Sequence, residues 1–163
     1  MDFMRPHHLV LSLFLFLFSM VLPVWLIFPT AAMVINNSLN LPIFYHPLLQ
    51  LVAFFVATGG LFLILKTFSC FYRLGQGTPA PIQPPKKMVT TQIYKKTRNP
   101  MYLGYLLIFL GEFLFFGHLM LLAYALLCFA VLHLYLVKIE EPILKQRFGK
   151  TYLSYYKKVP RWL

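Results

Sequence analysis

The sequence predicts an all-α integral membrane protein: four hydrophobic membrane helices, the last two a tight hairpin, and a C-terminal interfacial amphipathic helix. Three observations predict it. Hydrophobic residues fill 60% of the 163 positions and charged residues only 12%, far from the soluble average. The apolar residues come in runs long enough to cross a bilayer. Finally, all 15 lysines and arginines lie in three places: Arg5, the stretch from Lys66 to Arg98, and the stretch from Lys138 to Arg161. A net charge of +11 does not by itself point to nucleic acid. A polynucleotide binder needs a solvated basic face, and the apolar runs leave no soluble domain to carry one.

Leu9 to Phe28 follows a short cationic start and has about 20 nearly uncharged residues, enough to cross ~30 Å of hydrocarbon. A secretory signal peptide is the competing reading, but the run is long and Thr30-Ala31-Ala32 is a poor cleavage site, so a retained membrane helix is expected. Asn36 to Pro47 is a polar, proline-containing connection. Its Asn36-Asn37-Ser38 matches a glycosylation sequon and is read as a turn, because the loop is short. Leu48 to about Leu65 is the second span. Gly59-Gly60 within it lacks side chains where a helix or a ligand can come close, and helix packing is the safer reading.

From Lys66 to Arg98 the chain turns basic and proline-rich. Gly75 to Pro81 cannot be a regular helix, since proline removes donors and biases its predecessor towards extended geometry. A structured loop or lid over the membrane surface is expected, with a flexible linker as the alternative. Met101 to Phe116 and Leu119 to about Ile139 are two further apolar helices, joined at Gly117-His118 too tightly for a soluble excursion. The first is short for a full span at 1.5 Å per residue, so it tilts, stops partway, or is extended by the Tyr94 to Asn99 approach. Pro142 starts a new helix where its missing donor costs nothing. Leu144, Phe148, Tyr152 and Tyr155 recur there at helical spacing opposite Lys145, Lys150 and Lys157, the pattern of a helix lying in the interface. The chain therefore reads as one membrane domain over 1–163: two membrane helices in 1–65, a basic loop in 66–98, and a hairpin with an interfacial helix in 99–163.

In the four-helix arrangement every lysine and arginine falls on one side. By the positive-inside rule that side is cytoplasmic and both termini are inside. The stretch Arg98 to Gly104 and the pair Glu140-Glu141 meet on that surface.

Only four residues are acidic. Asp2 is terminal. Glu140 and Glu141 end the last hydrophobic helix, where the dipole disfavours negative charge, so they need compensating cations or ligand hydroxyls. Surface pairing with Lys138, Lys145 or Arg98 is the plain alternative. Glu112 lies inside a membrane helix, where an ionisable group is functional or paired by default. It shares a stripe with Arg98, Tyr102, Tyr105 and Phe109 if the helix extends back through Pro100, and it either faces a polar cleft or is solvated near the far surface. His133 either reaches the same cleft or bridges helices. Cys70 and Cys128 sit at no metal-ligand spacing and are read as packing residues. No G-x-G-x-x-G after a strand, no P-loop and no G-x-S-x-G elbow occurs, and His7-His8 is not a metal site. No metal is expected.

One set of motifs goes further. Ile93-Tyr94-Lys95-Lys96-Thr97-Arg98-Asn99-Pro100-Met101-Tyr102-Leu103-Gly104 is followed by Glu140-Glu141-Pro142-x-Leu144, by Phe148-Gly149-x-x-Tyr152-x-x-Tyr155 and by Val159-Pro160-Arg161. Together they resemble the isoprenylcysteine carboxyl methyltransferase family and its phospholipid N-methyltransferase relatives. The Gly75 to Pro85 loop is similar to that of small bacterial members. The resemblance implies S-adenosylmethionine-dependent methyl transfer to a lipophilic acceptor, with the cofactor entering from the cytoplasm and the acceptor from the bilayer. It assigns cofactor binding to Arg98, Asn99, Pro100, Tyr102, Leu103, Gly104, Glu140 and Glu141; Tyr94 and His133 join the expected cofactor site by their own position and chemistry, and Arg98 and Tyr102 are the expected catalytic residues. Glutamates suit a sulfonium and a ribose diol, Arg98 suits a carboxylate, and Tyr102 and Tyr94 offer aromatic faces. Asn99 stands where the eukaryotic carboxyl methyltransferases usually have histidine, so the motif speaks for the methyl donor and not for a prenylcysteine acceptor.

Two other readings compete. A membrane reductase of the sterol reductase type, using NADPH, carries a similar Arg-His-Pro-x-Tyr motif, but this chain is short for that class and lacks its fit in the C-terminal tail. A non-catalytic membrane protein would use the basic surface as an anionic-lipid anchor. The expected partners are membrane lipids and a lipophilic or lipid-modified substrate, with no nucleic acid.

Overall fold

The computed structural model describes residues 22–75 and 87–163. Asp2, Arg5, His7-His8, most of the expected first span and the loop from Gln76 to Pro85 lie outside these residues. Among the described residues every regular element is a helix, without a β-strand.

The first apolar run passes through a widened π-type turn, Pro23–Ile27, directly into α1, Phe28–Ser38. The expected end at Phe28 is therefore corrected. Pro29 has no amide hydrogen, and the widened turn, in which Phe28 N–H bonds the Pro23 carbonyl, carries the helix through it. Asn36 also differs from its reading as part of a turn. It lies in the last turn of α1, fully buried, donating to Leu41 O at 3.0 Å and accepting from Met120 N–H at 3.0 Å. Its side chain is a strut between elements and is closed to glycosylation.

Helix α2, Pro47–Cys70, starts with proline at its first position and His46 Nδ1 accepting from Leu48 N–H. It does not stop near Leu65. It continues through Lys66 and a second π-type turn, Phe71–Gly75, because the last turns still have something to bury: Cys70 packs with Val89, Tyr94, Tyr152 and Tyr155. Composition changes at Lys66, but polarity alone does not end a helix whose other face is packed.

Helix α3, Pro100–Phe116, has 17 residues, about 25 Å of rise. It does not extend back through the proline. Asn99 has φ −129° and ψ 55°, so Arg98 is outside the helix and the stripe with Glu112 loses its first member. Among the described residues the α2–α3 interface is the most extensive, and it rests on close backbone approach. A Cβ placed on Gly60 would lie 2.6 Å from Gly104 O, and one on Gly104 would lie 2.7 Å from Gly60 O. Gly117 ends α3 with φ 71°, the left-handed geometry that favours glycine. Phe44 N–H bonds its carbonyl at 2.9 Å.

Helix α4, Leu119–Tyr135, runs through a third π-type turn, Leu136–Glu140, into α5, Glu141–Lys158. Glu140 and Glu141 therefore sit within a continuous helical path, not at a helix end, and the expected dipole penalty does not arise. The break in α5 falls at Gly149, with φ 50° and ψ −126°.

Two segments are long and apolar enough to cross a membrane, Pro47–Gly75 and Leu119–Lys158, and their apolar windows are only 11% and 17% buried within the protein. Phe54, Phe55, Leu126 and Leu127 stand more than half exposed. Such surfaces need hydrocarbon around them, and the protein is a membrane protein.

Candidate active site

The site is built where the segment 87–99 folds back over the end of α2 and meets α5. A 3-10 turn, Gln92–Lys95, brings Tyr94 inward. Tyr94 is buried, and its backbone carbonyl accepts from Tyr155 OH at 2.6 Å. Burial pushes its phenol well above the ordinary tyrosine range, so it stays neutral. Cys70 Sγ lies 3.2 Å from Gln92 Oε1, which pins the turn to α2.

The residues after this turn are tied to the C-terminal tail. Arg98 N–H bonds Pro160 O at 3.0 Å. Thr97 Oγ1 and Asn99 Nδ2 both donate to Arg161 O at 3.0 Å. The Arg98 guanidinium lies 4.0 Å from the Tyr156 ring centroid, donates to Tyr152 OH at 3.4 Å and pairs with Glu141 Oε1 at 3.1 Å. Arg161 grips the same carboxylate with two prongs, Nε to Oε1 at 2.8 Å and Nη2 to Oε2 at 3.1 Å. Burial alone would raise the Glu141 carboxyl, but the Arg161 hydrogen bonds and the Arg98 and Arg161 charges outweigh it and hold it below the usual carboxylate range. The same bond pushes Arg161 further up.

Next to this cluster is a cavity of about 270 Å³, near the lower bound of small-molecule sites at ~300 Å³. Arg98, Asn99, Tyr102, Tyr135 and Glu140 line it. Tyr102 OH donates to Glu140 Oε2 at 2.6 Å. That bond fixes the carboxylate and leaves Oε1 open to a second donor. Lys87 and Arg147 also line the cavity, and Leu144 and Phe148 close it with apolar surface. Its wall thus carries three cationic side chains and one carboxylate. Arg98 Nε is buried with no hydrogen-bond partner, on a side chain only 7% exposed. A buried unpaired donor on a side chain that lines the cavity is a place for an acceptor atom from a ligand.

The structure gathers Tyr94, Arg98, Asn99, Tyr102 and Glu140 at the cavity. Glu141 sits behind Arg98, and its carboxylate is taken up by the two arginines. Pro100, Leu103, Gly104 and His133 do not line the cavity. Pro100 starts α3, Leu103 lies in its first turns, and Gly104 packs against Gly60. His133 Nδ1 accepts from Trp162 Nε1–H at 3.3 Å and its ring packs with Phe129 and Trp162, so it ties α4 to the C-terminal tail and neither reaches the cleft nor bridges two helices. Glu112 has a buried Oε2 with no partner and also lies outside the cavity. Sequence reasoning missed Phe71, Lys87, Tyr135 and Arg147 as lining residues. Phe71 and Tyr135 sit on helix turns that the sequence reading placed in a loop or a lipid-facing run. Lys87 and Arg147 were visible only as part of the basic surface.

Fold and site together define an α-helical membrane protein with a cleft lined by both charged and apolar side chains at one end of its apolar helices. The family model for phospholipid methyltransferases matches residues 25–151, which include the 93–104 motif and the glutamate pair, and the chain belongs to that family. No curated protein and no solved structure matches the chain. Family membership makes it a methyltransferase of the kind that acts on lipid-like substrates.

Proposed function

We propose that the protein moves a methyl group from S-adenosylmethionine to a lipophilic acceptor, an isoprenylcysteine-like carboxylate or a lipid head group, by in-line displacement at the cytoplasmic face. The observation that carries this reading is the cavity where Arg98 and Tyr102 meet Glu140, in a chain of the phospholipid methyltransferase family. Four membrane helices complete the picture: the N-terminal run, α2, α3 and α4, with α3 and α4 as a hairpin and α5 in the interface. Both termini and the site lie on the cytoplasmic side, by the distribution of lysine and arginine.

The residues present fit the cofactor's chemistry. S-adenosylmethionine, when bound, supplies a methyl group activated on a sulfonium. Arg98, with its free Nε–H, suits a carboxylate, while Glu140 Oε1 suits hydroxyls or the cation. Tyr94, Tyr102 and Asn99 complete the lining, and Pro100, Leu103, Gly104, Glu141 and His133 support the site from outside it. Positive charge disperses in the displacement, so positioning and water exclusion by Tyr102, Leu144 and Phe148 supply most of the acceleration. A carboxylate acceptor needs no general base, and Arg98 orients it. An amine acceptor must lose a proton, and Glu140 Oε1 is the atom placed to take it.

The test is transfer of labelled methyl from S-adenosylmethionine into a host lipid extract. The purified protein is expected to yield a labelled lipid and Arg98→Ala none. Absence of label in lipids, prenylated peptides and small-molecule acceptors alike contradicts the reading.

A further inference from the structure

Arg161 lies outside the cavity, and the function proposed above gives it no part. Its contacts do. The carboxylate of Glu141, a residue only 4% exposed, is shared by two guanidinium groups. With Arg98 as its only partner, such a carboxylate would draw that fork into a two-pronged pair, the arrangement the two planar groups favour. Arg161 already occupies that position through Nε and Nη2. Arg98 is left with a single link to Oε1 through Nη1, and its buried Nε has no partner. The backbone around it is fixed by the same tail: Pro160 O takes the Arg98 amide, and Arg161 O takes the side chains of Thr97 and Asn99 on either side.

We infer that Arg161 is a positioning residue: it saturates Glu141 and holds Arg98 half-paired, so that the Arg98 Nε hydrogen stays available to a carboxylate in the cavity. The acidic pair is thereby divided. Glu140 lines the site, and Glu141 is spent on the two arginines behind it. The carboxylate belongs either to the cofactor or to the acceptor, and the inference rests on the methyl-transfer reading for that identity alone.

The experiment uses the full chain in detergent with Arg161→Gln, Arg161→Lys, Glu141→Gln and the double variant Arg161→Gln/Glu141→Gln. Three probes are titrated: S-adenosylhomocysteine, methylthioadenosine, which lacks the carboxylate, and N-acetyl-S-farnesylcysteine, which carries the acceptor's. Arg161→Gln is expected to weaken one carboxylate-bearing probe by roughly tenfold, the scale of one charge-assisted hydrogen bond, and to leave methylthioadenosine unchanged. Which probe weakens identifies the source. Arg161→Lys loses less. The double variant recovers part of the loss, because a neutral amide at position 141 no longer captures Arg98. A merely structural arginine gives the opposite, a double variant worse than either single one, and that result overturns the inference. So does an Arg161→Gln protein that binds every probe as the parent does. If the parent itself binds none of the probes, the methyl-transfer reading fails, and hydrogen exchange decides the inference alone. Slower exchange of the Arg98 Nε–H in Arg161→Gln, as Glu141 draws it into the two-pronged pair, with recovery in the double variant, supports it; unchanged exchange overturns it.

Discussion

Glu140 and Glu141 are adjacent in sequence and opposite in surroundings. Glu140 takes one hydrogen bond from Tyr102 and keeps an oxygen for the cavity, whereas Glu141 is enclosed by Arg98 and Arg161. The Glu141 carboxyl is held below its ordinary range, so its folded-state pKa lies under the unfolded value of about 4.3. Its contribution to stability is therefore complete above that value and is lost as the pH falls through the folded pKa. Thermal unfolding followed between about pH 6 and pH 3 is expected to show a fall in Tm in the parent that is smaller in Glu141→Gln. The residues of this cluster were legible in the sequence as motif members, and the one-sided basic charge put them on a common surface. Their pairing was not legible, since Thr97, Asn99 and Arg161 meet through backbone carbonyls, and a main-chain acceptor leaves no trace in residue type.

Helix existence was legible from the apolar runs, while helix limits were not. The apolar runs put span ends at Phe28, about Leu65 and about Ile139, with Pro142 starting a new helix. At each place the chain carries on through a π-type turn that absorbs the missing donor or has an apolar face left to bury. The Gly59-Gly60 pair separates in the structure: Gly60 meets Gly104 at van der Waals distance, while Gly59 has open space around it. Gly60→Val is expected to force α2 and α3 apart and cost about 1–3 kcal/mol, and Gly59→Ala to stay close to neutral or gain slightly from helix propensity. Chemical or thermal unfolding in detergent measures both. Equal losses at the two positions would contradict the close approach of α2 and α3. Gly104 belongs with Gly60, because its missing side chain serves the neighbouring helix and its place in the motif concealed that.

For the molecule as a whole, composition sufficed to predict a helical membrane protein, and exposed apolar windows on α2 and α4 agree with it. The proposed topology places Lys87 on the cytoplasmic side and Asn40 on the other. In a background with Cys70 and Cys128 changed to Ala, Lys87→Cys is expected to react with an impermeant thiol reagent from the cytoplasmic side and Asn40→Cys from the opposite side. Labelling of both from one side would require a different number of crossings. The central claim is that the cavity beside Arg98 and Glu140 holds the methyl donor, and its most direct test is equilibrium binding of S-adenosylmethionine to the purified protein. Saturable binding is predicted in the parent and a loss of tenfold or more, the scale of a charged hydrogen bond of about 1.5–3 kcal/mol, in Glu140→Ala that remains folded. Binding by Glu140→Ala as tight as the parent's, or no binding by the parent, would contradict it.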